Sequence, residues 1–305
     1  MDTPLTGVVP VVPTIFHDDE SVDLDGTARV VDYLIDAGVD GLCLLANYSE
    51  QFSLTDTERD AIARTLLERV AGRLPVIVTT SHFSARVAAA RSRAAQDMGA
   101  AMVMIMPPFC GATLTVPGPA VIEYFQQVAR SIEIPIMVQD APLSPTSLPV
   151  SLLTDLVNRV PQVQYAKIEV PQAADKLHAL VSALGEDLPG PFDGEESVTL
   201  IPDLDAGATG TMPSSMVPAE LGQIVRRYRS GDRAGAVSAW ENLLPLIHFE
   251  NRQCGLRAQK ILLAEGGIIT SDRTRAPFGP VSPRTRRGLI ELAARHDPLI
   301  MRWAR

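Results

Sequence analysis

The chain repeats one pattern eight times between Val8 and Met212: a short apolar run that predicts a strand, followed in every case but the last by a segment with helical spacing. Strands that alternate with helices pair in parallel, and runs without polar alternation are covered on both faces. Eight such units predict an α/β fold, the closed (β/α)8 TIM barrel. An open doubly wound sheet is the competing architecture, but no strand is followed by a glycine-rich dinucleotide turn.

After residue 217 the strand signals stop and only helical patterns continue. We therefore predict a barrel over residues 1–217 and a C-terminal helical extension, packed on the barrel, over residues 218–305. The predicted strands cover 8–13, 41–45, 75–80, 102–106, 134–139, 164–168, 190–193 and 210–212. The predicted helices of the extension cover 221–228, 233–247, 251–265 and 284–295.

The net charge of −9 gives no basic field for a nucleic acid or an anionic lipid, so we expect neither as a partner. Cys43, Cys110 and Cys254 show no paired spacing, which is typical of a reducing compartment. The first residues lack the pattern of a signal peptide, and no apolar run reaches membrane-spanning length. We expect a soluble, cytoplasmic protein.

Lys167 is the only lysine at the carboxyl end of a predicted strand, where the active sites of such barrels lie. Period-two alternation places Lys167 and Glu169 on one face of that strand. A desolvated lysine loses affinity for its proton and can attack a carbonyl carbon. The alternative is that Lys167 ends an edge strand and reaches water.

Other strand ends carry weaker signals. The five histidines are far apart in the sequence and none forms a ligand pair, so we expect no metal. The segment 193–196 is interpreted either as a turn leading into the first turn of a helix, where acids suit the helix dipole, or as a substrate contact. The polar segment 250–253 is interpreted as a solvated helix face or part of an interface.

Several segments together resemble the dihydrodipicolinate synthase and N-acetylneuraminate lyase superfamily over essentially the whole chain. They are Val11-Val12-Pro13-Thr14, Ala37 to Leu42, the loop ending Ser49-Glu50, Pro142, Lys167 and Gly207 to Gly210. The resemblance implies a (β/α)8 barrel, usually a homotetramer, and no cofactor. It also implies that Lys167 forms a Schiff base with a small 2-oxo acid.

Departures from the family pattern indicate which branch of the superfamily this chain resembles. Ala46 to Glu50 replaces the family's Gly-Thr-Thr-Gly-Glu, and Gln139 replaces the tyrosine of its Tyr-Asn-x-Pro motif. Without that tyrosine, the resemblance implies a dehydratase that converts a 2-keto-3-deoxy-pentonate to 2-oxoglutarate semialdehyde and water in pentose oxidation. An iminium at C2 acidifies the C3 protons, and the resulting enamine expels the C4 hydroxyl if an acid protonates it.

We predict Lys167 and Tyr48 as catalytic residues, although Tyr48 has the alternative of merely packing in its loop. The predicted substrate contacts are Asn47, Ser49, Ser81, His82, Gln139, Asp140 and Glu195. Two other functions stay open. One is an aldolase that cleaves a 2-keto-3-deoxy sugar acid to pyruvate and an aldehyde, and the other is a non-catalytic barrel that senses a 2-oxo acid.

Overall fold

A computed structural model describes residues 4–109 and 116–304. These residues contain eight strands that alternate with helices and pair in parallel, followed by C-terminal helices, which is the predicted (β/α)8 barrel class. Cys110 lies outside the described residues. The strands are β1 (Gly7–Val8), β2 (Leu42–Leu44), β3 (Val76–Thr79), β4 (Met102–Ile105), β5 (Ile136–Asp140), β6 (Val163–Ile168), β7 (Gly190–Asp193) and β8 (Gly210–Thr211).

Three helices of the extension, predicted over 221–228, 233–247 and 284–295, begin and end within three residues of those bounds. The described residues contain eleven α-helices. They are α1 (Leu24–Asp36), α2 (Asp56–Val70), α3 (Ala85–Asp97), α4 (Gly118–Ala129), α5 (Val150–Arg159), α6 (Ala173–Leu184), α7 (Leu200–Asp205), α8 (Pro218–Arg229), α9 (Arg233–Phe249), α10 (Arg257–Glu265) and α11 (Pro283–His296). The first residues of α1 and α2 follow from N-capping side chains that the sequence shows. The Asp23 side chain accepts a hydrogen bond from the Gly26 N–H at the start of α1, and Thr55 and Glu58 form a capping box at the start of α2.

The described residues form two compact units. The first contains residues 4–6, 75–109, 116–195 and 199–212, and the second contains residues 7–74, 196–198 and 213–304. The predicted boundary after residue 217 stays a prediction.

In the first unit, β3 to β8 pair in parallel in chain order. Their register places Lys167 opposite Gln139 of β5 and Phe192 of β7. The alternative that Lys167 ends an edge strand is therefore wrong, because β6 is paired on both sides and Lys167 is only 3% exposed. The parallel register explains the burial, since it brings the carboxyl ends of β5, β6 and β7 level with each other.

In the second unit, the predicted helix over 251–265 is interrupted. A π-helical turn over Glu250–Cys254 precedes α10, and Gly255 separates them with a φ of +57°. The Gly255 N–H donates to the Glu250 carbonyl at 2.7 Å, which closes the wider π-type ring. The interruption turns Glu250 inward, where it is 1% exposed, while Arg252 and Gln253 stay exposed. The solvated-face interpretation of this segment is therefore wrong for Glu250.

Candidate functional site

Lys167 forms a buried ion pair with Glu169. The lysine Nζ lies 2.6 Å from Glu169 Oε1, and the two side chains are 4% and 14% exposed. Glu169 follows the last residue of β6, and its backbone N–H donates to the Asp140 carbonyl at 2.9 Å, which continues the pairing with β5. The strand alternation thus places the carboxylate on the side of the sheet where the amine lies. At this distance the carboxylate can take a proton from the amine, and the protonated carboxyl can give one back.

Gln139 joins the pair from the neighbouring strand. Its Nε2 donates to Glu169 Oε1 at 2.8 Å, so one carboxylate oxygen meets both the amine and the amide. The carbonyl Oε1 of Gln139 is buried and has no hydrogen-bond partner among the described residues. A buried acceptor without a donor has a desolvation penalty that a ligand hydroxyl would remove. Gln139 therefore offers an acceptor directly beside the amine.

Gly194 leaves the space that the ion pair fills. A Cβ at this position would lie 2.4 Å from Glu169 Cγ and 2.8 Å from Lys167 Cγ. Any other residue here would therefore displace both side chains. The segment around Gly194 does form the predicted turn.

The sequence interpretation that residues 193–196 lead into the first turn of a helix is wrong. Glu195 and Glu196 precede α7 and do not form its first turn. Glu196 and Ser197 take left-handed backbone conformations, with φ of +48° and +68°, so the chain cannot enter a helix there. The Glu195 N–H instead donates to Asp193 Oδ1 at 3.2 Å. Whether Glu195 contacts a substrate stays a prediction.

Asp140 pairs with a second lysine of the first unit. Lys176 Nζ lies 2.5 Å from Asp140 Oδ2 and also donates to the Leu148 carbonyl at 2.5 Å. Burial raises the pKa of the Asp140 carboxyl, and the hydrogen bond and charge of Lys176 oppose that shift. Asp140 borders a cavity of about 470 Å³ that also includes Lys176 and Ser144. Its predicted substrate role is untested.

Ser81 and His82 follow β3. The Ser81 hydroxyl accepts from the Met106 N–H at 2.9 Å. The exposed His82 ring accepts through Nδ1 from the Ser84 N–H at 3.0 Å, which places the proton of the neutral ring on Nε2. The Tyr124 hydroxyl donates to the His82 carbonyl at 2.7 Å. These bonds fix the loop, and the roles of both residues toward a substrate stay predictions.

Three further predicted residues lie in the second unit, on the short 3-10 helix Asn47–Ser49. Ser49 Oγ donates to the Val12 carbonyl at 2.6 Å and accepts from the Ala46 N–H at 3.1 Å, so its hydroxyl already holds the loop. Asn47 Oδ1 accepts from the Gln51 side chain at 2.7 Å. Tyr48 is half-buried, and its carbonyl accepts from Gln259 Nε2 at 3.1 Å. Their roles also stay predictions.

The sequence reasoning missed Glu169 as a site residue. The signal was available, because the alternation that singled out Lys167 places Glu169 on the same face two residues later. The hydrogen bond from Gln139 to Glu169 could not be predicted from the sequence, because it depends on the register of two strands.

None of the helices within residues 4–109 and 116–304 combines the length and the apolar character that crossing a membrane requires. No group of three or more His, Cys, Asp or Glu side chains in this part of the chain is arranged to hold a metal ion.

Comparison with known proteins places this geometry in a family context. The model of the dihydrodipicolinate synthetase family matches residues 4–295. The L-2-keto-3-deoxyarabonate dehydratase of Azospirillum brasilense is 51% identical over 298 residues, which is 98% of this chain and 96% of that protein.

Two solved structures are similar over almost the whole chain. YagE from E. coli K12, a prophage protein of the dihydrodipicolinic acid synthase family in complex with pyruvate, is 28% identical with a TM-score of 0.88, over 96% of this chain and 99% of that one. Dihydrodipicolinate synthase from Rhodopseudomonas palustris is 26% identical with a TM-score of 0.87, over 95% and 97% of the two chains.

Proposed function

Because the chain belongs to the dihydrodipicolinate synthetase family, we propose that it is a Schiff-base dehydratase that converts L-2-keto-3-deoxyarabonate to 2-oxoglutarate semialdehyde and water. The observation that carries the proposal is the buried Lys167 amine, 2.6 Å from the Glu169 carboxylate. The extensive identity to a dehydratase of that substrate supports the choice of reaction.

The first step is attack of the neutral Lys167 amine on the C2 carbonyl. Attack gives a carbinolamine, and loss of its hydroxyl as water gives a protonated iminium. Both events need proton transfer at the nitrogen or the departing oxygen, and Glu169 is within reach of that nitrogen. The low exposure of the pair limits competing water.

The second step is elimination. The iminium acidifies the C3 protons, and a base removes one to give an enamine, which expels the C4 hydroxyl as water and leaves a conjugated iminium. A proton shift from C5 then gives the C5 enol, which tautomerises to the aldehyde, and water hydrolyses the iminium to release the semialdehyde and the Lys167 amine. Glu169 is a carboxylate 2.6 Å from the amine, so we assign it the role of the base at C3. The buried Gln139 carbonyl accepts a hydrogen bond from a substrate hydroxyl. Tyr48 is our candidate for the acid that protonates the departing hydroxyl, and the other predicted contacts hold the carboxylate and the distal hydroxyls.

Gln139 also explains why elimination is favoured over carbon–carbon cleavage. Retro-aldol cleavage needs a base that takes the proton of the C4 hydroxyl, and a glutamine amide has no titratable proton with which to do so. Elimination leaves every carbon–carbon bond intact and needs no such group.

Product analysis tests the proposal. The protein is incubated separately with the L- and the D-configured 2-keto-3-deoxy-pentonate, and products are separated by mass. The expected result is 2-oxoglutarate semialdehyde from the L-substrate, with an adduct on Lys167 after borohydride reduction. The matched control is Lys176→Met, which removes the other lysine of the first unit and leaves the Lys167 adduct in place.

Aldol cleavage of a 2-keto-3-deoxy sugar acid is the second candidate. It is favoured by the match to YagE alone, whose structure contains pyruvate and which carries the name "Putative 2-dehydro-3-deoxy-D-gluconate aldolase"; the sequence match to it is 39% identical over 137 residues, 45% of this chain. Pyruvate plus an aldehyde among the products would establish this reaction in place of dehydration. Binding of the 2-oxo acid with no adduct and no product would instead indicate a sensor.

The proposal extends to assembly and compartment. We expect a homotetramer in the cytoplasm that acts on a small 2-oxo sugar acid, in line with the family resemblance. Sedimentation equilibrium at assay concentration tests the homotetramer, and cell fractionation tests the cytoplasmic location.

A further inference from the structure

A second group of buried carboxyls lies at the end of β7, next to the Lys167 site. Asp193 is the last residue of β7 and is opposite Ile168, the residue after Lys167, in the strand register. Asp203 is on α7, and neither aspartate has any exposed surface. The dehydration chemistry described above uses neither of them.

Hydrogen-bond donors hold each carboxyl in place. The Thr211 hydroxyl donates to Asp193 Oδ2 at 2.5 Å, and the Glu195 N–H reaches Asp193 Oδ1 at 3.2 Å. The Thr199 hydroxyl donates to Asp203 Oδ2 at 2.7 Å. The second oxygen of Asp203, Oδ1, is buried and meets no donor in the described part of the chain.

The two carboxyls are also within hydrogen-bonding reach of each other. Two carboxylates have no hydrogen to share, so this bond exists only when one of them is protonated. A proton on either carboxyl supplies it.

Burial, hydrogen bonds and nearby charges determine where the proton of this pair lies. Burial, followed by the negative charge of Asp193 and with a smaller contribution from Glu195, raises the pKa of Asp203 to about 8. Burial also raises the pKa of Asp193, but hydrogen bonds and the positive charge of Lys167 oppose that shift. The proton therefore belongs on Asp203, and the negative charge on the carboxylate nearer to the amine.

We propose that Asp203 is a positioning residue: its shared proton keeps the Asp193–Asp203 pair at one negative charge and so adjusts, in addition to the Glu169 carboxylate 2.6 Å from the amine, the pH at which Lys167 becomes neutral and attacks a 2-oxo acid. The inference rests on the proposed function, because it treats Lys167 as the nucleophile. When Asp203 loses its proton, a second negative charge appears and favours the ammonium form of Lys167.

The first test is the protonation state itself, measured without any substrate. Infrared difference spectra of the full-length protein are recorded between pH 6 and pH 9.5, a window chosen to bracket the Asp203 transition at about pH 8. We expect a carboxylic-acid C=O band that disappears near pH 8 and that is missing from Asp203→Asn. Asp205→Asn removes an exposed carboxyl from the same helix and should retain the band. A spectrum of Asp203→Asn identical to that of the unchanged protein would overturn the inference.

The second test is the rate of adduct formation with pyruvate, stopped by borohydride at timed intervals over the same pH range. The amide of Asp203→Asn can still donate to Asp193, but no second charge can form. The rise of the rate with pH should therefore move down by roughly one pH unit. Asp205→Asn should follow the unchanged protein.

Thr199→Val provides a variant that keeps both carboxyls, in case Asp203→Asn does not fold. The Thr199 hydroxyl lowers the pKa of Asp203, so its removal should move the C=O transition to higher pH. A transition that stays in place or moves down would contradict the proposal. If the unchanged protein forms no adduct at any pH, the proposed function fails, and the infrared result still decides whether Asp203 holds the proton.

Discussion

Two buried lysine–glutamate pairs, one in each unit, show that burial of an amine does not by itself indicate chemistry. Lys167 pairs with Glu169 in the first unit, and Lys260 pairs with Glu50 in the second. The chain has only three lysines, and the third, Lys176, pairs with Asp140. Each lysine thus has a carboxylate partner, so the difference must lie in what else surrounds the pair.

In the Lys260 pair, both the amine and the carboxylate have further hydrogen-bond partners. Lys260 Nζ also donates to the Arg273 carbonyl at 2.9 Å and lies 4.5 Å from the centre of the Phe16 ring. The second oxygen of Glu50 accepts from the Arg275 N–H at 2.9 Å. Both side chains are 0% exposed. Burial lowers the pKa of Lys260, and the charge and hydrogen bond of Glu50 oppose that shift.

The Lys167 pair is built differently. The Glu169 side chain keeps 14% of its surface, and the amide that supports it leaves a buried carbonyl oxygen without a partner among the described residues. A partly exposed carboxylate and an unsatisfied acceptor are what a polar ligand needs. We infer that the Lys260 pair stabilises the second unit and that the Lys167 pair performs the chemistry.

The largest effect should come from Lys167→Met. This change removes the proposed nucleophile, so we expect turnover to fall by at least about 10³-fold and the borohydride-trapped adduct to be lost. Turnover is followed by semialdehyde formation, and the adduct by intact-protein mass. Because the chain has only three lysines, peptide mapping assigns any remaining adduct unambiguously. An adduct on Lys260 in the unchanged protein would reverse the comparison.

Glu169→Gln should have the next largest effect. It removes the carboxylate that faces the amine but keeps a side chain that can hydrogen-bond to Gln139, so we expect turnover to fall by about 10²- to 10⁴-fold. The trapped pyruvate adduct should still form, because the nucleophile is present. Glu50→Gln is the matched change in the other pair, and turnover per folded molecule should hardly change. Equal losses of turnover in the two variants would contradict the separation of roles.

Lys260→Met should reduce stability more than chemistry. It leaves the Glu50 carboxylate buried opposite an apolar side chain, which costs about 3–5 kcal/mol of the free energy of unfolding. Urea unfolding measures this change. The double variant Lys260→Met with Glu50→Gln should recover part of the loss, because no unpaired buried charge remains. A loss below about 1 kcal/mol in the single variant would show that the pair is not structural.

The contrast between the pairs also marks what the sequence could predict. Alternation of apolar runs and helical spacing predicted the fold class and most element bounds, because both depend on local periodicity. The position of Lys167 followed from the same periodicity. The Lys260–Glu50 pair was not predicted, since its partners are 210 residues apart in the chain.

The break at Gly255 and the Asp193–Asp203 pair were missed for a related reason. A single glycine within a helical pattern is tolerated in many helices, so the π-helical turn before it has no reliable local signal. The aspartate pair depends on where α7 returns against β7, which periodicity does not specify. Tertiary packing, and not the local sequence, determines these features.

The last expected effect is a change in how stability depends on pH, and it involves Glu250, a buried acid with no lysine beside it. Burial raises its pKa to about 8, opposed by a hydrogen bond with Ser214, and its Oε1 has no hydrogen-bond partner among the described residues. The folded protein therefore binds a proton at Glu250 that the unfolded chain releases above its ordinary pKa of 4.5. Stability from this group is present below about pH 4.5 and is lost as pH rises toward about 8.

Glu250→Gln keeps the shape of the side chain and removes the titration. The free energy of unfolding of the unchanged protein should fall between pH 5 and pH 7.5 by about 1.4 kcal/mol per pH unit from this group, and the variant should lack that contribution. Urea unfolding at several pH values provides the two slopes. Glu241→Gln, an exposed change on α9, should leave the slope unaltered. A slope that is the same in Glu250→Gln and the unchanged protein would mean that Glu250 is ionised in the folded state, and that a buried acid in the second unit needs no cation to keep its charge.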